Sequence, residues 1–390
     1  MSGPLEGVRV IDLTTVGMGP YATQTLGDMG ADIIKVEALD GDPFRDVAPS
    51  RHPKMGAAFL NLNRNKRSIA LNLKLPEDKR AFLDLLDDAD VFVTNTRPQA
   101  LRKLGLDFET MSTSRPRLIY CSLNGFSERG PYAGKPAFDD IIQAMSGLAW
   151  LQGRNQGEPA YVNTILADKV AGLAAAGAIG MALFERERSG LGQSVEVPMF
   201  ELMVSFTLIE HMAGATFIPP TQAAGYDRVL SPHRKPYRTS DGFVSLLPYT
   251  SAHWQRFFEA AGRPELASDP ELIDPAARSR TIDRWYQHLA QTVALRTTAE
   301  WLQLASSIDV PIAPVLSPDD LLADPHLAAV GLFKRDDHPS EGSVVTTGIP
   351  ITFSRTPGDI RRLAPCLNEH REEILEEPRG RVVPALSGRR

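Results

Sequence analysis

Apolar residues in the first third of the chain recur in two alternating rhythms. Short β-branched runs at Val8 to Leu13, Ile33 to Val36, Ser68 to Leu71, Val91 to Thr94 and Leu118 to Ser122 read as strands. Between them lie segments such as Pro76 to Asp88, with apolar residues at helical spacing and Pro76 just inside the first turn, where a missing N–H is harmless. Alternation of this kind predicts a parallel α/β sheet. A further helix is expected over Asp139 to Trp150, with Ile141, Ile142, Met145, Leu148 and Ala149 on one face. The next, about Leu166 to Arg188, is small-sided: Ala171, Gly172, Ala175, Gly177, Ala178 and Ala182 let another backbone approach closely. Ser189-Gly-Leu-Gly192 ends it before a strand at Ser194 to Val197. Its apolar stretch, Val170 to Phe184, is shorter than the roughly 20 residues that span a bilayer, so it reads as a buried helix.

Around Pro219 to Gly225 the composition turns to Pro, Ala, Gln and Gly, a linker signature. A small α+β unit follows, with a strand at Gly242 to Tyr249 and helices at Ser251 to Gly262, Thr281 to Val293 and Thr298 to Ser307. Beyond about Ser340 the pattern returns to strand, loop and a short helix at Asn368 to Glu376. The expected organisation is a discontinuous large domain (1–200 with 340–376), a helix and linker (201–225), a small domain (226–330) and a disordered tail (377–390).

Composition narrows the function. The 390 residues carry 42 basic and 48 acidic side chains, a net charge of −6, which gives no electrostatic reason to bind nucleic acid or an anionic membrane. Two cysteines, Cys121 and Cys366, build no disulfide framework and fit a reducing compartment. Residues 1–30 show no secretion-signal pattern, so the cytoplasm is the expected location. The eight histidines form no H-E-x-x-H motif and no pair at i,i+4, so no metal site is expected, and no G-x-S-x-G or P-loop occurs.

Three candidate sites remain. Gly17-Met-Gly19-Pro-Tyr-Ala22, with Glu37 about 20 residues on, has the spacing of a dinucleotide fingerprint, yet Thr14 to Val16 separate the strand from Gly17. Other readings are a plain strand-to-helix turn, or amides offered to a different anionic group. Asn61 to Arg67, with Lys74, Asn95, Arg97, Arg102 and Lys103, gathers cations and amides that either hold a polyphosphate at the strand ends or lie solvated on the surface. Gly130 to Gly134 leads into Phe138-Asp139-Asp140 at a helix start. There Asp139 is either an N-cap or a carboxylate nucleophile for an activated acyl group.

The motifs together are specific. Gly19-Pro20, Leu26-Gly-Asp28-Met-Gly30-Ala31-Asp-Ile-Ile-Lys35-Val-Glu37, Asn65-Lys66-Arg67-Ser68, Asn95-Thr-Arg-Pro98, Gly130-Pro-Tyr with Phe138-Asp139, and Gln143-Ala-Met-Ser-Gly147 resemble the class III CoA-transferase family. Pro236 to Gly242 and Val310 to Val315 resemble its small-domain and return segments. The resemblance implies an interlocked homodimer, each chain with a Rossmann-like large domain and a smaller α+β domain. It implies Asp139 as the catalytic residue, and Val16, Gly17, Met18, Leu71, Lys74, Asn95, Thr96 and Lys103 as the CoA contacts. Coenzyme A enters as a substrate, with no permanently bound cofactor. CoA then moves from an acyl-CoA donor to a carboxylic acid through an aspartyl mixed anhydride and an aspartyl-CoA thioester.

Two alternatives carry different chemistry. The α-methylacyl-CoA racemases resemble this chain but place a His where Phe138 stands; Asp168 matches their second acid, whereas Val244 to His253 holds no Glu. An NAD-dependent oxidoreductase rests on Gly17 to Ala22 and Glu37 alone. The formyl-CoA/oxalate branch has a glycine run that is missing between Ala213 and Gly242, and an Arg where Ala38 stands. Oxalate is therefore not the expected acceptor; the family resemblance implies succinyl-CoA as donor and a dicarboxylic or branched acid as acceptor, with Arg234, Lys235 and Arg238 either candidates to hold it or, for at least two of them, solvated on the surface.

Overall fold

The computed structural model describes residues 3–155 and 157–378. The chain divides into two compact units. The first comprises residues up to 152, 159–207 and the described residues from 328 onward; the second comprises 153–158 and 208–327.

The first unit is built on six parallel strands, β1 (Arg9–Leu13), β2 (Asp32–Glu37), β3 (Lys66–Ala70), β4 (Val91–Thr94), β5 (Ile119–Asn124) and β6 (Ser194–Pro198). Their order is β3-β2-β1-β4-β5-β6, a doubly wound arrangement in which the chain reverses direction between β1 and β4. Successive side chains point to opposite faces of a strand. Val10, Ile33, Val93 and Cys121 accordingly pack under the helices Met18–Asp28 and Leu166–Ser189. Ile11, Ile34, Phe92 and Tyr120 face Phe82, Leu85 and Leu101 of the helices Pro76–Asp87 and Pro98–Leu104 on the other side.

Small residues in the helix Leu166–Ser189 permit the close approach that the pattern implies. A Cβ on Gly172 would lie 2.7 Å from the Met18 carbonyl, so only glycine lets the two helices come this close. This is the one helix among the described residues long and apolar enough to cross a membrane, yet Ala167, Ala171, Ala175 and Ile179 are packed into the core. The expected helix over Asp139 to Trp150 is two, Asp139–Met145 and Leu148–Gly153. Gly147, at φ 82°, separates them.

The returning segment opens with the hairpin β10 (Phe333–His338) and β11 (Gly342–Thr347), ahead of position 340, and ends in the helix Arg371–Glu376. It covers the edge of β3: Asn368 Oδ1 accepts the Ala70 amide at 2.8 Å, and the His370 amide donates to the Ser68 carbonyl at 3.0 Å. Glu377, expected in a loose tail, is ion-paired with Arg9 and Arg67. The rest of that tail, from 379, lies outside the described residues.

The second unit has a three-stranded antiparallel sheet, β7 (Tyr237–Arg238), β8 (Phe243–Leu246) and β9 (Ile312–Pro314), where the pattern showed only the middle strand. Helices Ser251–Ala260, Ile282–Val293 and Thr298–Ile308 supply Trp254, Phe257, Trp285, Tyr286 and Trp301 to its core. Within this unit the Arg238 guanidinium lies 5.7 Å from the ring centre of Phe243.

Candidate active site

The site grows from the turn after β1. Asn95, just past the end of β4, brackets Thr15: its Oδ1 accepts the Thr15 amide at 3.1 Å and its Nδ2 donates to the Thr15 carbonyl at 2.9 Å. Asp42 Oδ1 accepts the Val16 amide at 3.1 Å, and Lys35 donates to Asp42 Oδ2 and to the Thr14 carbonyl, each at 2.9 Å. Lys35 and Asp42 are fully buried. Burial works against the Lys35 ammonium, but Asp12, Asp42 and Glu37 hold it charged above its ordinary range. Val16 is thereby fixed at φ 71°, a region that a β-branched residue rarely enters.

This turn delivers the first turn of the helix Met18–Asp28. The amides of Gly17 and Met18 have no acceptor among the described residues. Both residues line a cavity of about 190 Å³ at the ends of β1, β4 and β5, the crevice where doubly wound sheets bind ligands. Pockets that enclose whole drug-sized ligands measure roughly 300–1,000 Å³, so this cavity matches the reactive end of a ligand.

Asp139 opens the helix Asp139–Met145 and is buried, next to Phe138 on the cavity wall. Both of its oxygens are held. Gln143 Nε2 donates to Oδ2 at 2.6 Å, and the Asp168 amide donates to Oδ1 at 3.0 Å. Gln143 is one helical turn after Asp139, and its own orientation is set by the Val162 amide, which donates to Oε1 at 2.9 Å. Asp168 lies in the first turn of Leu166–Ser189, where amides are free to be used in this way. Its carboxyl is pushed up to about 7 by burial and by the charge of Asp139. Asp140 is exposed.

The expected contacts divide. Val16, Gly17, Met18 and Asn95 line the cavity; Thr96 does not, and its amide turns back to Thr94 Oγ1 at 3.1 Å. Lys74 and Lys103 are exposed on segments that follow β3 and β4. The Leu71 side chain is a correction: it is buried in the core with Ile34, Val36 and Phe82, so no side-chain contact to a ligand is left to it.

The basic run is a second correction. Lys66 and Arg67 begin β3, at the opposite end from the cavity, and every cation from Arg64 to Arg67 has an internal acid. Arg64 pairs with Asp28 at 2.7 Å, Lys66 with Asp12 at 3.1 Å and Arg67 with Asp32 at 2.8 Å. Asn65, at φ 59°, uses Oδ1 to accept the Arg361 and Arg362 amides, tying the returning segment to the sheet. The dinucleotide reading fails for the same reason. Glu37 is buried against Arg45 with both oxygens at 2.8 Å and also accepts Ser68 Oγ, leaving nothing for a ribose.

In the Gly130–Gly134 loop, Gly130 donates to the Ser127 carbonyl, Ala133 to the Gly130 carbonyl and Gly134 to Glu128 Oε1. Cys121 is core, its thiol pushed up to about 12 by burial. Gln143 stood out in the sequence only as part of a motif and Asp168 only as a match to the racemases' second acid; neither was given a role in the transfer. The i,i+4 spacing from Asp139 was the available signal for Gln143.

A doubly wound sheet with a clamped carboxylate beside a small cavity at its switch point defines an α/β enzyme suited to acyl-group chemistry. Residues 5–371 match the family described as CoA-transferase family III. Over 96% of both chains, the protein is 34% identical to succinyl-CoA:mesaconate CoA-transferase of Haloarcula hispanica. It is 31% identical to formyl-CoA:oxalate CoA-transferase of Streptomyces coelicolor, covering 95% of this chain and 94% of that one. A CAIB/BAIF family protein from Brucella suis superposes with a TM-score of 0.81 at 30% identity, over 96% of this chain and all of the other. The chain belongs to CoA-transferase family III and is an enzyme that transfers CoA from an acyl-CoA thioester to a carboxylic acid.

Proposed function

We propose that Asp139 is the nucleophile of this transfer and that succinyl-CoA is its donor. The observation offered for the role is the double clamp on Asp139, which fixes a buried carboxylate within reach of Asp168, the acid that lines the cavity. Asp139 attacks the thioester carbonyl, giving an aspartyl mixed anhydride and CoA thiolate. The thiolate then attacks the aspartyl carbonyl, releasing the donor acid and leaving an aspartyl-CoA thioester, and the acceptor carboxylate completes the exchange through the reverse steps. Reacting groups held in place gain an effective concentration of up to about 10⁵–10⁸ M. The unpartnered Gly17 and Met18 amides support a role as oxyanion donors, worth roughly 10²–10³ in rate each.

In this reading CoA lies along the ends of β1, β3 and β4, with Val16, Gly17, Met18, Asn95 and Thr96 near the pantetheine and Lys74 and Lys103 near the adenosine phosphates. The dicarboxylates named in several relatives support a dicarboxylic or branched acceptor. Phe138, which has no exchangeable proton at the position of the racemase His, speaks against α-proton chemistry. An interlocked homodimer is supported by large apolar side chains left outside in a single chain, among them Trp150, Met181 and Phe184, exposed by 54%, 74% and 69%. Two free cysteines support a cytoplasmic location.

The test is intact-protein mass spectrometry after incubation with succinyl-, acetyl- or propionyl-CoA, with hydroxylamine trapping and peptide mapping. An acyl or CoA adduct on Asp139, absent in Asp139→Ala, is the expected result. Turnover retained by Asp139→Ala removes it as nucleophile.

A further inference from the structure

The second unit buries an arginine that its own fold leaves without an acid. Arg278, in the short helix Pro275–Arg280, is 7% exposed. Its Nη1 donates to Ser251 Oγ at 3.0 Å and to the Leu272 carbonyl, and its guanidinium lies 6.0 Å from the Trp254 ring centre, yet it forms no ion pair among the described residues. Asp274, one turn earlier, gives Oδ1 to the Ala276 amide at 2.9 Å. Arg228 is a second such cation. Its Nε donates to the Tyr286 hydroxyl at 3.1 Å and its guanidinium lies 5.0 Å from the Tyr249 ring centre, and it too pairs with no acid among the described residues. The two arginines are neighbours. Trp254, beside one, stacks on Tyr286, bonded to the other, with ring centres 6.2 Å apart. Burial, and then the charge of Arg228, pull the Arg278 guanidinium below its ordinary range.

The same place carries unused donors. Of the first four amides of the helix Ser251–Ala260, His253 donates to Thr250 Oγ1 and Trp254 to the Thr250 carbonyl, while those of Ser251 and Ala252 have no acceptor among the described residues. Ser251 is also the residue whose hydroxyl receives Arg278, so the buried cation is fastened to the residue that opens the helix. That hydroxyl donates in turn to the Ile273 carbonyl at 2.8 Å. Tyr249, just ahead of the helix and 66% exposed, carries Arg228 on its ring. A buried charge without a counter-ion is costly, and a helix start favours negative charge. Both features call for an anion.

We propose that Arg228, Arg278 and the Ser251 and Ala252 amides form a carboxylate site, and that its ligand is the carboxylate of a dicarboxylic substrate that the transfer leaves untouched, a role that rests on the dicarboxylic reading of the substrates given above. A dicarboxylic acid commits one carboxylate to the reaction and keeps the other as an anion, and that second anion is what separates it from a monocarboxylic acid of similar length. A guanidinium is a planar fork matched to the two oxygens of a carboxylate. Arg234, Lys235 and Arg238 are exposed by comparison, and Arg238 faces Phe243. An exposed cation gains little from an anion because water screens the pair, so selectivity belongs with the more buried Arg228 and Arg278.

The experiment is steady-state kinetics of full-length wild type, Arg228→Gln, Arg228→Lys and Arg278→Gln, with succinyl-CoA as donor and glutarate or butyrate as acceptor. Arg228→Gln should raise the KM for glutarate and for succinyl-CoA by about tenfold or more, while the butyrate KM and the calorimetric affinity for free CoA stay within about twofold of wild type. Arg228→Lys, which keeps the charge without the fork, should recover part of the loss. Arg278→Gln should behave as Arg228→Gln does; if it does not fold, because the Leu272 carbonyl loses its donor, Arg228→Gln decides alone, since Arg228 holds the Tyr286 hydroxyl and no backbone carbonyl. An equal loss with glutarate and butyrate overturns the proposal. So does an unchanged glutarate KM, and inorganic phosphate binding lost in the same variant would then assign the site to a phosphate. A wild type that does not turn over succinyl-CoA, or that takes butyrate as readily as glutarate, removes the substrate reading itself and this inference with it.

Discussion

Gln143 Nε2 lies 2.6 Å from Asp139 Oδ2, and the same carboxamide receives the Val162 amide on its Oε1 at 2.9 Å. The second bond decides what the first can be. With Oε1 committed to an N–H donor, Nε2 must face Asp139, so the carboxylate is met by a hydrogen bond and not by a lone pair. Gln143→Ala should lower kcat by up to about 10², the cost of a misplaced reacting group, with the KM for the acyl-CoA donor little changed. Gln143→Glu should do worse, because it places a second acid against Asp139. Steady-state kinetics with purified variants check both; a KM effect with kcat preserved would mean that Gln143 shapes substrate binding instead.

Asp168 makes stability depend on pH with a definite sign. Its folded-state carboxyl titrates near 7, against an ordinary 3.8, because burial and Asp139 disfavour the anion. Below about 4 both folded and unfolded chains hold the proton and nothing is lost. As pH rises toward 7 the unfolded chain releases it more readily, so stability falls across this window and levels off above it. Asp168→Asn abolishes the penalty. Its thermal midpoint should match wild type near pH 4 and exceed it at pH 8, measured by circular dichroism at fixed ionic strength.

Asn95 braces the Thr15 peptide on the cavity wall. Its two hydrogen bonds fix the peptide before Val16, which is held at φ 71°. At roughly 0.5–1.5 kcal/mol net per hydrogen bond, Asn95→Ala should release the turn and weaken CoA binding by about tenfold or somewhat more. Calorimetric titration with CoA reads this directly. Unchanged affinity would mean that the Thr15–Gly17 turn does not hold the ligand.

Much of this was legible in the chain. Runs such as Val91 to Thr94 have buried residues on both faces, so short apolar stretches read cleanly as parallel strands. The helix start at Asp139 was legible because a Gly/Pro-rich loop leads into it. The basic run from Arg64 to Arg67 was not, because a cation looks the same in sequence whether it is solvated or paired. Its acids, Asp28, Asp12 and Asp32, stand 35 to 54 positions away. The approach of Asp168 to Asp139 spans 29 positions and depends on where two helices are placed by the sheet. No local pattern encodes that.

Lys66 is the sharpest test of those internal pairs. Fully buried, it donates to Asp12 Oδ2, the Pro20 carbonyl and Asn63 Oδ1, and so joins β1, the helix Met18–Asp28 and β3. Burial pushes its ammonium down to about 8 against the pull of Asp12. Burial likewise opposes the Asp12 carboxylate, which Lys66 and Lys35 together hold below the usual carboxylate range. Removing one partner of a buried pair strands the other, at about 3–5 kcal/mol. Lys66→Met should fall at the lower end, about 3 kcal/mol, because Thr14 and Thr23 hydroxyls also donate to Asp12 and Lys35 attracts it. Asp12→Asn alone leaves Lys66 short of an anion. The double variant should therefore be less destabilised than the sum of the two, since neither group is left charged and alone. Urea unfolding of the four proteins measures this coupling, and a Lys66→Met variant within about 1 kcal/mol of wild type would show that the pair is not what locks β3 to β1.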